Sequence, residues 1–147
     1  MIEAGADVNI PTTHGETPLL LATQAGAVPL IDLLVRSGAD TKGLDNHGQA
    51  MSHYAVNHGA IVSFHYMLEF NLFDFDAKDR NGNTPLHLAI EKSKFDIAKE
   101  IIHLRPALAK EKNKLGHTPM HICALKVIFS DPDRIIHKTG RSQTGQF

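Results

Sequence analysis

The 147-residue chain contains a single cysteine, no tryptophan and only two tyrosines. One cysteine cannot form an internal disulfide, and the N-terminus has no charged-then-apolar leader, so we expect a reducing setting in the cytoplasm or the nucleus. The most apolar stretch, residues 19–35, is interrupted by Thr23, Gln24, Gly26, Pro29 and Asp32, which argues against insertion into a membrane. The net charge of −1 indicates neither a nucleic-acid nor a membrane partner.

The charge is unevenly distributed along the chain. Residues 1–77 carry nine acidic and two basic side chains, a net charge of −7, whereas residues 78–147 carry thirteen basic and seven acidic ones, a net charge of +6. If order in the sequence corresponds to order in space, the molecule is an electrical dipole along its length.

One short sequence motif recurs along the chain. It reads HGETPLLLA at 14–22, NGNTPLHLA at 81–89 and LGHTPMHICA at 115–124, with a degenerate copy, HGQAMSHYA, at 47–55. Its glycines, Gly15, Gly48, Gly82 and Gly116, are 33, 34 and 34 residues apart. A fixed period in the thirties is typical of a stacked repeat array.

The motif predicts a turn followed by the start of a helix. Asp79 and Gly82 occupy the preferred first and fourth positions of a tight turn. Thr84 then serves as N-cap, with Pro85 at the first helical position. His87 lies three residues after the cap, where a side chain can reach back as in a capping box.

A second amphipathic helix follows in each copy, as the apolar spacing of Ile97, Ala98, Ile101 and Ile102 indicates. We expect the second helices to end at Gly38, at Asn71 and before Pro106. Each unit is then turn, helix, turn, helix, and it cannot bury its apolar faces without neighbours.

These residues resemble the ankyrin repeat family, whose pattern appears here as DRNGNTPLHLA at 79–89 and GADVN at 5–9. The resemblance covers residues 1 to about 126 and implies an all-α solenoid of helix-turn-helix repeats with β-turn or hairpin tips. The predicted units are the end of a truncated repeat at 1–11, repeats at 12–44, 45–78 (degenerate) and 79–112, a divergent repeat at 113–139 and a flexible tail at 140–147.

The second repeat departs from the family pattern. Ala50 and Met51 replace the Thr-Pro pair, so the helix lacks its cap oxygen unless Ser52 caps it in a shifted frame. The linker at 71–78 is one residue longer than its counterpart and carries Phe73 and Phe75. Beyond the last copy, Ser130 and Pro132 predict the start of another short helix, which runs through Ile135 and Ile136.

The chain has ten histidines, which suggests a metal site, but several of them occupy the histidine position of the repeated motif, three residues after the N-cap. His14 and His47 share a turn position, and adjacent units about 8–10 Å apart cannot bring both to one zinc at about 2 Å. In a possible calcium loop at 73–79, Lys78 stands where an oxygen ligand is required. We therefore predict no metal and no cofactor.

Catalysis and nucleic-acid binding are also disfavoured. Cys123 could form a thiol-imidazole-carboxylate set with His117 or His121 and Asp131, but it replaces a small buried alanine, where a thiol is usually inert. The basic strip of Lys110, Lys112 and Lys114 has no interleaved aromatic residues and is more typical of a solvated turn than of a nucleic-acid site.

The resemblance implies a non-catalytic module that binds a protein partner in a concave groove lined by turn tips and first helices. A partner that is acidic toward the C-terminal repeats would match the charge split. The array could be a monomer or self-associate through its N-terminal face. Alternatives are a regulatory segment of a larger enzyme or ion channel, and an enzyme that uses Cys123. The predicted contact residues are Thr13, His14, Glu16, Gln24, Asn46, His47, Gln49, Asn57, His58, Arg80, Asn81, Asn83, Glu91, Lys92, Lys112, Lys114, Leu115, His117 and Lys126.

Overall fold

The computed structural model of the chain describes residues 8–58 and 60–130. Within this part the helices are α1 (Pro18–Ala25), α2 (Val28–Arg36), α3 (Met51–Asn57), α4 (Ile61–Glu69), α5 (Pro85–Glu91), α6 (Phe95–Leu104), a short 3₁₀ helix (Pro106–Lys110) and α7 (Pro119–Ser130). No strand occurs among the described residues. The expected all-α helix-turn-helix solenoid is confirmed.

The first helix of each repeat begins where the repeated motif predicts. The Thr17 hydroxyl accepts a hydrogen bond from the backbone N–H of Leu20 at 3.2 Å. In α5 the bonds run both ways, because Thr84 Oγ1 accepts from the N–H of His87 at 3.4 Å and His87 Nδ1 accepts from the N–H of Thr84 at 3.2 Å. The helix-start residues therefore satisfy backbone donors that have no partner inside the helix.

Each turn is closed by its first side chain and bonded to the next turn. Asp79 Oδ1 accepts from the N–H groups of Asn81 and Asn83 at 2.9 and 3.0 Å. Between turns, single backbone bonds of 3.0 Å join Asn46 N to His14 O, Arg80 N to His47 O and Lys114 N to Asn81 O.

Gly82 shows why glycine is required at the fourth position of the turn. Its φ is +75°, and a Cβ there would lie 2.9 Å from Lys114 N. Glycine therefore permits both the left-handed backbone and the close approach of the next turn.

The first helices stack in a row, α1 on α3, α3 on α5 and α5 on α7, and each of the first three packs on its own second helix. Apolar residues from both layers form one buried cluster, with Leu19, Ile31, Phe64, Leu86 and Ile101 at most 1% exposed. The core thus runs along the array, so neighbouring repeats stabilise one another.

The second helices end where the sequence predicts. Gly38 and Asn71 have φ values of +91° and +58°, and α6 ends at Leu104, two residues before Pro106. Ser93 also adopts a positive φ, +62°, in the turn between α5 and α6. In the last repeat the sequence motif ends at Ala124, but α7 continues to Ser130. The expected short helix through Ile135 and Ile136, residues 1–7 and the tail at 140–147 lie outside the described residues.

The degenerate second repeat keeps the fold with different contacts. Ala50 makes no side-chain cap bond, and Ser52 does not replace it, because Ser52 Oγ accepts from the N–H of Asp74 at 2.8 Å. Phe73 is 8% exposed and meets Phe64 and Phe75 edge-on at centroid distances of 5.0 and 4.9 Å. The longer linker therefore folds back onto the core.

Candidate functional site

The predicted contact residues, which we call the candidate surface, are brought together by the stacking of first helices and turns. Among the tip residues, Thr13, His14, Asn46, His47, Arg80, Asn81, Lys112, Lys114 and Leu115 are exposed. On the helices, His58, Glu91 and Lys92 are exposed, and the residues in intermediate positions are Glu16, Gln24, Gln49, Asn57, His117 and Lys126. Each of the four copies of the repeated motif therefore contributes exposed residues to this surface.

Asn83 is the exception. It is 8% exposed, and its Oδ1 accepts from Asn113 Nδ2 at 2.9 Å while its carbonyl contacts His53 Nε2 at 2.9 Å. Its amide holds the third turn against the fourth. The prediction of Asn83 as a contact residue is not supported, because a buried side chain offers a partner nothing to touch.

The tips separate two roles. Their backbone joins adjacent turns, as in the bonds from Arg80 N and Lys114 N. Many of their side chains are exposed, with Leu115 at 78%. Asn46 serves both roles, since its Nδ2 also donates to Thr13 O at 3.0 Å.

The N-terminal end of the candidate surface is acidic. The Tyr54 hydroxyl donates to Asp45 Oδ2 at 2.7 Å and lies 3.4 Å from Glu16 Oε2. Tyr54 is 4% exposed, and burial followed by the bond to Asp45 raises its pKa far above the usual range. One hydroxyl proton cannot serve both carboxylates well, and the shorter bond goes to Asp45.

The opposite end is basic. Arg80, Lys112 and Lys114 are exposed around the third and fourth turns. At the end of α3, partial burial is the main cause that lowers the pKa of His58. The ammonium groups of Lys92 and Lys94 lower it further, while the Glu16 carboxylate acts weakly in the other direction. His58, whose ring lies 6.3 Å from that of Tyr54, thus marks the boundary between the two charged ends.

The histidines at the helix starts have a role that sequence reasoning found only in part. Their Nδ1 atoms reach back to the caps as predicted, but Nε2 also contacts the next repeat, at 2.9 Å from Asn83 O for His53 and from His117 O for His87. Since Nδ1 accepts a backbone N–H, the neutral ring carries its proton on Nε2 and donates it to that carbonyl. Burial is the main cause that lowers the pKa of both histidines.

Other chemistry has little geometric support in the described part of the chain. Cys123 is half-buried and packs against the core, the His117 and His121 rings are 6.2 Å apart, and Asp131 lies outside the described residues. Among the residues described, no three of the His, Cys, Asp and Glu side chains are placed to share a metal ion. No described helix is long and apolar enough to cross a membrane.

The aromatic linker forms a separate small cavity of about 350 Å³, lined by Met67, Leu68, Asn71, Phe73, Phe75, Leu104 and Arg105. The Arg105 guanidinium lies 5.5 Å from the Phe75 ring centroid and bonds both oxygens of Asp76 at 3.0 and 3.2 Å. This cavity lies away from the tips and the first helices.

Comparisons with known proteins agree with the repeat architecture. The family model described as ankyrin repeats (3 copies) matches residues 1–72, and the model described as ankyrin repeats (many copies) matches residues 67–123.

Three relatives illustrate how such repeats are distributed among proteins. Alpha-latrotoxin-Lg1a of Latrodectus geometricus is 32% identical over 85 residues, which are 57% of this chain and 6% of the toxin. Phosphocholine transferase AnkX of Legionella pneumophila is 32% identical over 95 residues, 60% of this chain and 10% of the transferase. NF-kappa-B inhibitor delta of Mus musculus is 32% identical over 85 residues, 56% of this chain and 26% of the inhibitor. The similarity in all three alignments is confined to a fraction of the longer protein, and with the two family models covering residues 1–123 the chain belongs to the ankyrin repeat family.

Proposed function

We propose that this chain is a non-catalytic protein-binding module that holds a protein partner on the candidate surface. The observation that carries the proposal is the division of roles at the tips: backbone groups of Arg80 and Lys114 hold the array together, while their side chains are exposed. Exposed polar side chains on a rigid, repeated scaffold are suited to recognition. The single cysteine favours a cytoplasmic or nuclear setting for this activity.

Site-specific photocrosslinking tests which surface meets the partner. A benzophenone amino acid would replace Lys92 on the candidate surface or, as matched control, Lys99, which is exposed on α6. After irradiation in an extract, we expect position 92 to capture a protein that position 99 does not, identified by mass spectrometry. Capture from position 99 alone, or from neither position, would contradict the proposal.

We further propose that the partner presents acidic groups to the C-terminal repeats. The support is the exposed Arg80, Lys112 and Lys114 at the third and fourth turns. Complementary charge mainly affects the association rate. Lys112→Glu with Lys114→Glu should therefore slow association at low salt and flatten its salt dependence, whereas Lys99→Glu should change neither. Equal association rates for both variants would overturn this assignment.

A second candidate is a regulatory segment of a larger enzyme or channel. It is favoured by the alignments, which span only 6% of the toxin and 10% of the transferase. A full-length transcript that joins these repeats to a catalytic or pore domain would support it. Deleting the repeats from that product should then change its activity, and an unchanged activity would leave only the binding role.

A further inference from the structure

The charged side chains of the described residues divide into those that pair within the chain and those that do not. Three ion pairs and one histidine–carboxylate contact occur in the described part, and all involve second helices or linkers: Asp32–Arg36, Lys78–Glu111 and Asp76–Arg105, with His65–Glu100 as the histidine contact. None of the four includes a member of the candidate surface. The charges of Glu16, Lys92 and Lys114 on that surface belong to none of these pairs and are thus available to an external partner.

Glu16 illustrates this at the acidic end. Its carboxylate oxygens lie 3.4 Å from Thr12 Oγ1 and 3.4 Å from the Tyr54 hydroxyl, both beyond the usual O–H···O range of about 2.5–3.0 Å. Asp45 is better satisfied, because it accepts from Tyr54 and from the N–H groups of its own turn. Two half-buried carboxylates beside one hydroxyl therefore leave Glu16 with acceptor capacity and negative charge to spare.

The basic end mirrors this arrangement. Lys92 directly follows α5 and Lys94 directly precedes α6, and neither forms an ion pair with the described residues. Glu91 and Asp96 are acidic residues nearby in the sequence, and Arg80 and Lys114 add cations at the tips. The net charge of this end is positive.

We propose, as a refinement that rests on the proposed function, that the partner is a single segment with a basic residue placed on Glu16 and Asp45 and an acidic residue placed on Lys92 and Lys94. The two sites are one to two repeats apart along the array and about one helix length apart across it, because Glu16 and Asp45 precede their helices and Lys92 follows α5. Their separation is therefore about 15–20 Å, from a repeat spacing of 8–10 Å and a rise of 1.5 Å per helical residue. An extended segment covers this distance in about five residues. The surface then fixes the direction in which the segment lies, because the reversed segment would place like charges together.

A random-peptide display library, selected on the intact chain, provides the probe. We expect the enriched peptides to carry a basic and an acidic residue about five positions apart in one constant order. Glu16→Lys should weaken such peptides about two- to fivefold, the range for partly exposed charge pairs. Replacing the basic residue of the peptide by Glu should weaken binding to the native chain and restore it to the Glu16→Lys chain. Lys92→Glu should show the same exchange with the acidic residue.

Matched controls lie on the second helices, where Glu69→Lys and Lys99→Glu make the same charge changes at exposed positions. Thermal melting verifies that each variant folds, and Glu16→Gln replaces Glu16→Lys if the latter does not. Peptides that lose binding with Lys92→Glu but show no constant charge order, or no rescue by charge exchange, overturn this inference and leave the proposed function standing. A selection whose binders are insensitive to both Glu16 and Lys92 variants, or that yields none, contradicts the proposed function together with it.

Discussion

Residues 45–78 and 79–112, the predicted second and third repeats, both begin their first helix after a tight turn but use different side chains to do so. In α5, Thr84 and His87 bond each other's backbone N–H groups, whereas in α3 only His53 reaches back, to the N–H of Ala50 at 3.0 Å. Both histidines are 0% exposed and both contact the next turn. The histidine therefore joins one repeat to the next, whereas the threonine stabilises only its own helix.

The linkers after these repeats differ as well. Residues 71–78 return to the core through Phe73, while residues 106–110 form a 3₁₀ helix that buries Leu108 at 2% exposure. Ser52, which would be a leucine in the family pattern, holds the longer linker through the N–H of Asp74. The degenerate repeat therefore gains contacts in its linker that the third repeat does not have.

The largest effect should come from removing the linker's anchor. Phe73→Ala should lower the free energy of unfolding by about 3–5 kcal/mol, the usual cost of deleting a buried phenylalanine. Phe95→Ala, at a position 50% exposed, should cost far less. Urea denaturation followed by circular dichroism measures both. Similar costs for the two variants would show that the longer linker is not anchored as described.

The next largest loss of stability should come from replacing the histidines at the helix starts. His53→Ala or His87→Ala leaves a backbone N–H and a carbonyl without their partner, at about 1–3 kcal/mol for each group that stays buried. We expect His53→Ala to cost more, because α5 keeps the Thr84 cap and α3 has no other. Urea denaturation gives the order, and His47→Ala at an exposed tip is the control. A larger cost for His87→Ala would contradict the division of roles.

Lowering the pH should reduce the free energy of unfolding through the imidazole rings of His53 and His87. Their pKa values are lowered in the folded state, so the unfolded chain binds more protons. This stability is fully present above the unfolded pKa of about 6.5 and is lost as the pH falls below it toward the folded values, by at most about 1.4 kcal/mol per histidine per pH unit. Unfolding free energies measured between pH 7.5 and 5 should decline less in the double variant His53→Gln, His87→Gln. An equal decline would assign the acid sensitivity to other groups.

The smallest effect concerns the missing cap. Ala50→Thr should stabilise by about 0.5–2 kcal/mol and Thr84→Ala should destabilise by a similar amount. The sequence alone favours adding Met51→Pro, but Met51 is 2% exposed in the core, so proline would remove buried contacts there. Denaturation midpoints of the two single variants test the symmetry, and a destabilised Ala50→Thr would mean that the site has no room for the added atoms.

The repeat period, the helix starts at Thr17 and Thr84, and the exits at Gly38 and Asn71 could all be predicted, since each depends on neighbouring residues and on fixed backbone preferences. The burial of Asn83 could not, because it depends on Asn113 of the next turn, thirty residues away. The role of Ser52 was missed for the same reason. Three copies of His at the third helical position, at intervals of 34 residues, were the available signal for the cross-repeat bonds.

The sequence by itself determined that this protein is a stack of ankyrin repeats with an acidic N-terminal half and a basic C-terminal half, because period, turn chemistry and charge are local and additive. Only the tertiary structure decided which charges remain available. Stacking places Tyr54 between Asp45 and Glu16 and brings Lys92 and Lys94 close to His58, and it directs the internal ion pairs to the second helices and linkers. The reason is physical: a charge is neutralised by whatever lies within a few ångströms of it, and apart from Asp32–Arg36 within α2 the charged pairs of the described residues join different repeats.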